Sequence, residues 1–332
     1  MKLDKKDIRI LSELDLDARK PPSRLARACR LSKQVAGYRL RRLGESGVIR
    51  RCAAIVDIPR LGYYTYRLFL RLQNADPSNE AALNKRILQV PNTIWIAHTT
   101  GRWDMEILMA ARNNVHFSNL LVRVKELLGP FLKEYIISPS IVTYHFGRRY
   151  LGGSSRPPSD IPHYGFEPEV ARLDRTDFKL LQALAADGAQ SYSKLGARTG
   201  LSYNGAKKRL RALEDAKIIQ SYGLWLGLEP LGRHFYKACL SMSSLDSKTE
   251  KAILSFAMGE PDVEYVVLCS GGWDLEIEAE VESELKFQEL LARFRNRFKD
   301  SVRDYDILHV YEELKWDYFP FEKFEEFALK IK

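Results

Sequence analysis

Cysteines and long apolar runs are scarce in this chain, and each scarcity excludes a class of protein. Its 332 residues include four cysteines, Cys29, Cys52, Cys239 and Cys269, and none of them forms a C-x-x-C pair. This excludes a disulfide framework or a zinc finger and favours a reducing, cytoplasmic location. No apolar run approaches the roughly 20 residues of a membrane helix, and the N-terminal residues have no apolar core of a signal peptide. A membrane protein is therefore not expected.

The net charge is modest but unevenly distributed. The chain has 52 Lys and Arg against 43 Asp and Glu, a formal net charge of +9. Residues 1–52 carry +9, residues 53–170 carry +3, residues 171–222 carry +5 and residues 223–332 carry −8. A uniformly solvated surface would not collect its positive charge in two short blocks. Such blocks indicate contact with a polyanion.

An internal repeat organises the chain. Leu3-Asp4-x-x-Asp7 recurs as Leu173-Asp174-x-x-Asp177, at an offset of 170 residues. The same offset, without a gap, relates Trp103-Asp104 to Trp273-Asp274 and Tyr135 to Tyr305. One register over so many residues indicates a tandem duplication, and two long copies do not make a solenoid. A segment rich in Gly, Ser and Pro separates the copies and is typical of a linker.

The first part of each copy predicts three short helices followed by a strand. In copy one, Asp7–Leu16 has apolar residues at helical spacing, and Pro21-Pro22-Ser23 ends that helix and caps the next. Ser32 caps a third helix that ends before Gly47. A strand begins just after this glycine. This order describes a winged helix-turn-helix.

The third helix of each copy has an inward apolar stripe and an outward polar face. A helix-turn-helix places the N-terminal half of its second helix in the major groove. Gln34 and Asn204 occupy the same position, and either amide can bond bidentately to adenine. Arg41 and Lys208 suit phosphates, which give affinity without sequence information. The predicted DNA contacts are Ser32, Lys33, Gln34, Gly37, Tyr38, Arg39, Arg41, Arg42, Arg50 and Arg51 in copy one, and Ser202, Tyr203, Asn204, Lys207, Lys208, Arg209 and Arg211 in copy two.

The second part of each copy predicts the order β-α-β-β-α-β, the ferredoxin-like pattern. Its central hairpin turns at Thr99–Trp103, where a glycine is needed. We therefore predict an α+β fold in which two winged helix-turn-helix domains alternate with two ferredoxin-like domains. The predicted boundaries are 1–56 and 171–226 for the former, 61–145 and 231–312 for the latter, 146–170 for the linker and 313–332 for an amphipathic tail. The tail stripe of Phe321, Phe324, Phe327, Ala328 and Ile331 predicts a helix that docks on the second sheet domain or forms an oligomer contact.

Each copy resembles the Lrp/AsnC family, the leucine-responsive type of transcription regulator. The resemblance rests on Leu31-Ser32-x6-Arg39-Leu40-x2-Leu43-x3-Gly47-x-Ile49 with Gly101-x-x-Asp104, and on their copy-two counterparts, which include Gly271-x-x-Asp274. It covers nearly the whole chain except the linker and the tail. It implies a winged helix-turn-helix joined to a ferredoxin-like effector and oligomerisation module, the RAM domain. It also implies an amino acid or other small effector near Gly101, Asp104, Gly271 and Asp274, although a turn glycine and a capping aspartate would explain the same residues.

This chain departs from the family pattern in two respects. Family members usually carry one copy and dimerise, whereas this chain holds both. Copy two has Lys217 where Gly47 ends the helix of copy one, and it lacks the Arg50-Arg51 pair. We therefore expect one strong and one weaker DNA reader, and an asymmetric rather than palindromic operator.

Charged residues on the predicted strands suggest how the halves fit together. Glu276, Glu278 and Glu280 share one sheet face by strand alternation, as do Arg67 and Arg71. Opposite charges on two facing sheets predict an intrachain pseudo-dimer. The alternative is pairing within one sheet, such as Arg67 with Glu106.

Two other functions compete with DNA-binding regulation. The sirohaem decarboxylases share this fold and would be expected to have a segment rich in His, Tyr and Arg on the second strand, where only His98 is suggestive. The chain has no phosphate-binding glycine-rich loop, no nucleophile motif and no histidines at metal-ligand spacing. The third class is a ligand-sensing or assembly scaffold. We predict a regulator that is not an enzyme and needs no cofactor or metal, with double-stranded DNA and a small effector as partners, in a homo-oligomer built on the pseudo-dimer.

Overall fold

The computed structural model describes residues 3–74, 77–152, 161–166 and 169–325. Both copies have the same order of elements. Copy one consists of α1 (Lys5–Leu16), α2 (Pro22–Ala28), α3 (Lys33–Glu45), β1 (Ile49–Val56), β2 (Tyr64–Leu72), α4 (Pro77–Ile87), β3 (Thr93–Thr100), β4 (Met105–Ala111), α5 (Asn114–Leu128) and β5 (Leu132–His145). A short strand, β6 (His163–Gly165), follows. Copy two consists of α6 (Arg175–Ala186), α7 (Tyr192–Thr199), α8 (Tyr203–Asp215), β7 (Ile219–Leu226), β8 (His234–Met242), α9 (Ser247–Gly259), β9 (Val263–Cys269), β10 (Leu275–Val281), α10 (Glu284–Arg297) and β11 (Val302–Trp316).

The first helix of each copy begins with the same capping box. Asp4 accepts hydrogen bonds from the backbone of Lys6 and Asp7, while Asp7 accepts one from the backbone of Asp4. Asp174 and Asp177 repeat this arrangement at the start of α6. Reciprocal caps satisfy backbone donors that have no partner inside the helix. The repeated Leu-Asp-x-x-Asp sequence is therefore a pair of helix starts.

Strands β1 and β7 join the two helix-turn-helix domains into one body. They pair antiparallel, with Cys52 opposite Leu224 and Ala53 opposite Gly223. Because position 223 corresponds to position 53 in the repeat, this last pair lies on an approximate twofold axis that relates the copies. A single hydrophobic core runs through both helix-turn-helix domains.

The remaining long strands close into a barrel. Within each copy the strand order is β5-β2-β4-β3 or β11-β8-β10-β9, the order of a ferredoxin-like sheet. Strand β3 then pairs with β11, and β9 pairs with β5, so eight antiparallel strands from both copies form a closed ring. Closure pairs the backbone N–H and C=O groups that the edge strands of an open sheet would leave unpaired. The predicted α+β fold is confirmed.

The barrel encloses charged residues as well as aromatic ones. Lys237 Nζ lies 2.6 Å from Glu106 and 3.0 Å from Glu276. Arg67 lies 2.8 Å from Glu106 of its own sheet and 3.1 Å from Glu278 of the other copy. Both interpretations of Arg67 therefore describe real contacts. Burial by itself raises the pKa of Glu278, but Lys237 and Arg67 outweigh it and hold that pKa below its usual value.

The segments outside the repeat connect the barrel to the helix-turn-helix layer. Strand β11 runs to Trp316, beyond the predicted end of the second ferredoxin-like domain at residue 312, because its last residues pair with β3. Phe319 then packs on Phe178 of α6, and Phe321 packs on Tyr63. The expected docking on the second sheet domain was therefore wrong for Phe321, because the longer strand carries the chain past the barrel. Phe324 also packs on Phe178, while Phe327, Ala328 and Ile331 lie outside the described residues.

The helices of the described ranges are all too short or too polar to cross a membrane.

Candidate nucleic-acid interface

The recognition helices α3 and α8 present their predicted polar faces to solvent. Ala36 and Leu43 of α3, and Ala206 and Leu213 of α8, are buried as predicted. Tyr38 and Tyr203 are 58% and 51% exposed. The predicted contacts that lie exposed are Ser32, Lys33, Gln34, Tyr38, Arg41, Arg50, Ser202, Tyr203, Asn204, Lys208 and Arg211. Gly37 and Lys207 are half-buried.

Two arginines of copy one turn back onto their own domain. Arg39 donates to Asp4 and Asp7, both at 2.8 Å, and Arg42 donates to Asp7 at 2.5 Å. Asp7 is fully buried, and a buried carboxylate needs a counter-charge. Hydrogen bonds from the Asp7 backbone and from Arg39 lower the pKa of Asp4 to about 2. Arg39 and Arg42 therefore fasten the recognition helix to the capping box of α1, and their contact with DNA stays a prediction.

Arg209 takes the same place in copy two. It donates to Asp177 at 2.5 Å and also contacts Asp174. It fastens α8 to the capping box of α6, and its contact with DNA stays a prediction. Ala212 stands where copy one has Arg42, so Asp177 has one arginine fewer. Burial raises the pKa of Asp177 to about 6.

Arg50 and Arg51, adjacent on the wing strand β1, have different surroundings. The Arg51 guanidinium lies 5.3 Å from the ring centre of Trp225 and 5.5 Å from that of Trp316. Burial lowers the pKa of Arg51. The Arg50 guanidinium also lies over Trp225, 5.7 Å from its ring centre, but Arg50 is exposed. Arg51 therefore packs against the tryptophans, and the DNA contacts of both arginines stay predictions.

The Gly-x-x-Asp turns have clear structural roles. Gly101 has φ +121°, and a Cβ there would lie 2.5 Å from the carbonyl oxygen of Ile307 in the other copy. Asp104 accepts a hydrogen bond from the Leu72 backbone at 2.7 Å. In copy two, Asp274 accepts one from the Met242 backbone at 2.7 Å. In the turn of copy two, Gly271 has φ +102°, and a Cβ added there would lie 3.1 Å from the carbonyl oxygen of Ile137. Each turn thus packs on a strand of the other copy.

The copy-one turn also borders an open cavity of about 480 Å³, whose lining includes Gly101, Asp104 and His98. The His98 ring stacks on Tyr311 with centroids 5.6 Å apart, and its Nε2 lies 2.8 Å from Asn84 Oδ1.

Two carboxylates approach His98 at this cavity. Across the described ranges, Glu80, His98 and Glu312 form a group that could hold a metal ion, with ligand atoms within 4.8 Å of one another. Sequence spacing missed this group because Glu312 belongs to the other copy and meets His98 through the pairing of β3 with β11.

The comparison with known families agrees with the repeat. A winged helix-turn-helix DNA-binding family model matches residues 3–50 and again residues 173–220. HTH-type transcriptional regulator FL11 of Pyrococcus horikoshii is 29% identical over 127 residues, which are 38% of this chain and 83% of that protein. HTH-type transcriptional regulator LrpA of Mycobacterium tuberculosis is 28% identical over 139 residues, 42% of this chain and 92% of that protein. The chain is a tandem Lrp/AsnC-family regulator.

This double-length Lrp/AsnC regulator also has a solved structure that it resembles over its full length. The siroheme decarboxylase NirDL covers 98% of this chain and 96% of its own, with a TM-score of 0.61 and 14% identity. At that identity the likeness shows the fold alone. The similarity to Lrp/AsnC regulators supports DNA-binding transcription regulation as the function of this chain. NirDL shares its fold over the full length.

Proposed function

We propose that one chain of this regulator acts as an intramolecular pseudo-dimer with two unequal DNA-reading helices. The pairing of β1 with β7 about Ala53 and Gly223 carries the proposal, because it ties both helix-turn-helix domains together within one chain. Dimeric helix-turn-helix proteins read two half-sites whose symmetry mirrors their own. Gln34 and Asn204 are equivalent here, but Lys33 corresponds to Tyr203. The two half-sites should therefore differ in sequence.

Selection of bound duplexes from a random library tests the proposal. We expect an operator with two dissimilar half-sites. Gln34→Ala should relax base preference in one of them and Asn204→Ala in the other, each by about 1–3 kcal/mol. Gln89→Ala, at an exposed glutamine in the turn that follows α4, is the matched control and should change neither. A perfect palindrome, or loss of preference in the same half-site for both variants, would contradict the proposal.

We further propose that an amino acid or another small molecule binds at the Gly-x-x-Asp turns. The cavity beside Gly101 and Asp104 supports this for copy one, since its volume of about 480 Å³ falls within the range of ligand sites, roughly 300–1,000 Å³. The corresponding role of Gly271 and Asp274 rests on the family resemblance. Two members of the metal-capable group, Glu80 and His98, line the same cavity.

We also propose that the pseudo-dimer assembles into a homo-oligomer. Val115 at the start of α5 is 73% exposed, and its repeat equivalent Leu285 on α10 is 67% exposed. Apolar residues at equivalent exposed positions on both outer helices favour a shared contact surface. Sedimentation analysis should then give a multiple of 38.2 kDa.

The full-length fold match makes a decarboxylase of the NirDL type the second candidate. NirDL has been crystallised with an iron-uroporphyrin III analogue, and uroporphyrin carries many carboxylates. A second cavity of this chain, between the wing strands and the barrel, is lined by four glutamates and two arginines, so it would repel such a ligand. A tetrapyrrole absorbance band in the purified protein would favour the enzyme, and salt-sensitive DNA retention would favour the regulator.

A further inference from the structure

A cavity of about 80 Å³ lies between the paired wing strands and the mouth of the barrel. Many of its lining residues come in pairs that are 170 positions apart, so the cavity lies on the approximate twofold axis. These pairs are Ile58 and Leu228, Thr65 and Phe235, Ile94 and Glu264, Trp95 and Tyr265, Leu108 and Glu278, and Thr143 and Glu313.

The two walls of this axial cavity differ in charge. Copy one contributes Ile94 and Leu108, where copy two contributes Glu264 and Glu278. In a symmetric dimer of copy two, these glutamates would meet their equivalents across the axis. The fused chain instead places them opposite Ile94 and Leu108, in a lining to which the first half of the chain also contributes Arg67 and Arg148. The asymmetry therefore depends on the two copies having different sequences.

The acidic wall has more negative charge than its arginines balance. Glu264 and Glu280 are each 2% exposed. Arg148 lies 3.0 Å from Glu264, 2.8 Å from Glu280 and 3.2 Å from Asp15, so three carboxylates share one guanidinium. Glu278 shares Arg67, the other arginine of the lining, and Lys237 with two carboxylates of the barrel interior, so three carboxylates meet two cations there. Buried carboxylates without a full counter-charge are unfavourable.

The excess negative charge lies at the cavity. Glu264 and Glu278 both line it, and each shares its nearest arginine with other carboxylates. Burial raises the pKa of Glu280 to about 7, with neighbouring Glu264 acting in the same direction and Arg148 against it. Tyr150 donates a hydrogen bond to the Glu280 carboxylate, and Arg233 donates to its carbonyl oxygen. A proton on Glu280 can therefore offset part of the excess negative charge at this wall.

Aromatic rings form much of the remaining lining. Trp95, Tyr164, Trp225, Tyr265 and Trp316 all border the cavity. Aromatic faces attract cations, and quaternary ammonium ions in particular are held by such cages. A water needs roughly 10–15 Å³ of comparable volume, so the cavity has room for several waters or for one small organic ion.

We propose that the axial cavity binds a small organic cation, an amine or quaternary ammonium ion, between the glutamates of copy two and the surrounding aromatic rings. Trp225 belongs to the wing strand β7, and Arg148 donates to the backbone of Leu224 in the same strand. The bound cation thus touches the strand that joins the helix-turn-helix domains. Its effect on DNA binding rests on the proposed function, whereas its binding does not.

Choline and its uncharged isostere 3,3-dimethyl-1-butanol test the proposal on the full chain. Three tryptophans line the cavity, so choline should change tryptophan fluorescence in a saturable way, and the isostere should not. Calorimetry in two buffers of different ionisation enthalpy at pH 6.5 should show proton release on binding. Glu280→Gln should abolish that release, because Glu280 would no longer give up a proton.

Glu264→Gln should weaken choline binding about tenfold, whereas Glu282→Gln, an exposed residue of the same copy, should leave it unchanged. Trp225→Phe keeps an aromatic ring and provides a second variant if Glu264→Gln does not fold; it should weaken choline binding severalfold. Equal binding of the isostere, no saturable change, or unaltered affinity in these variants would overturn the proposal. If choline binds without changing the affinity for DNA, the proposed binding site is supported and only its proposed effect on DNA binding is contradicted.

Discussion

At the residue scale, the two copies use different residues, in a similar backbone conformation, just after the recognition helix. Gly47 has φ +75°, and Lys217 at the same place in copy two has φ +56°. Glycine adopts this left-handed conformation freely, whereas a side chain with a Cβ is strained there. Lys217 keeps the conformation because the flanking segments, α8 and β7, are fixed by the buried core. Copy two therefore carries a local strain that copy one avoids.

Replacing Lys217 by glycine should relieve this strain. We expect the free energy of unfolding in urea to rise by about 1 kcal/mol. Gly47→Lys should lower it by a similar amount. Lys208→Gly is the matched control, because Lys208 lies exposed inside α8 and glycine inside a helix lowers stability by about 1 kcal/mol. If both Lys-to-Gly variants lowered stability equally, the strain at Lys217 would be refuted.

At the element scale, the recognition helix is held by ion pairs rather than by apolar packing alone. Helix α3 buries few of its residues, Ala36 and Leu43 being fully buried. Arg39 supplements this packing by reaching the capping box of α1. A helix that must leave most of its surface free for DNA cannot bury a wide apolar face. Charged contacts at its inner edge are therefore part of how it is positioned.

Arg39 and Arg41 should separate stability from DNA binding. Arg39→Ala leaves buried Asp7 with only Arg42, so the free energy of unfolding should fall by roughly 1–3 kcal/mol. Arg41→Ala should change stability by less than about 0.5 kcal/mol. It should instead weaken DNA binding uniformly across sequences and reduce the salt slope by about 1. Denaturant titrations measure the stability of each variant, and binding at several salt concentrations measures its DNA contacts. The reverse pattern would contradict the structural role assigned to Arg39.

At the scale of the whole molecule, the two copies share both of their layers. The wing strands pair across the axis, and the eight-stranded barrel takes four strands from each copy. The charges of Arg67, Lys237, Glu106 and Glu276 meet inside that barrel. The halves are therefore coupled through one interior rather than through a surface contact.

Charge reversal inside the barrel should separate the halves. Glu276→Lys with Glu278→Lys places cations beside Arg67 and Lys237, and loss of a buried ion pair lowers stability by about 3–5 kcal/mol. Limited proteolysis should then cleave the chain faster than in the parent protein. Glu282→Lys, at an exposed position near the end of β10, is the control and should digest at the parental rate. An unchanged digestion pattern in the double variant would count against the coupling.

The helices and strands of each copy could be predicted from local signals in the sequence. The offset of 170 residues, the Asp and Ser caps and the alternating strands predicted the helix-turn-helix and ferredoxin-like orders, because propensity, capping and periodicity act over a few residues. The same signals identified Gln34 and Asn204 on the exposed faces of the recognition helices. They could not show that Arg39, Arg42 and Arg209 bind buried carboxylates. The position of a residue on a helix gives the direction of its side chain, but it does not identify the residue that this side chain contacts.

Tertiary structure decided everything that depends on contacts between the copies. The closed barrel, the axial cavity and the group of Glu80, His98 and Glu312 bring together residues more than 170 positions apart. The path of the tail was decided in the same way, by the pairing of β11 with β3. Such contacts arise from long-range strand pairing and burial, which no short window of sequence contains. The duplication was legible in the sequence, but the asymmetric interior it creates exists only in the folded chain.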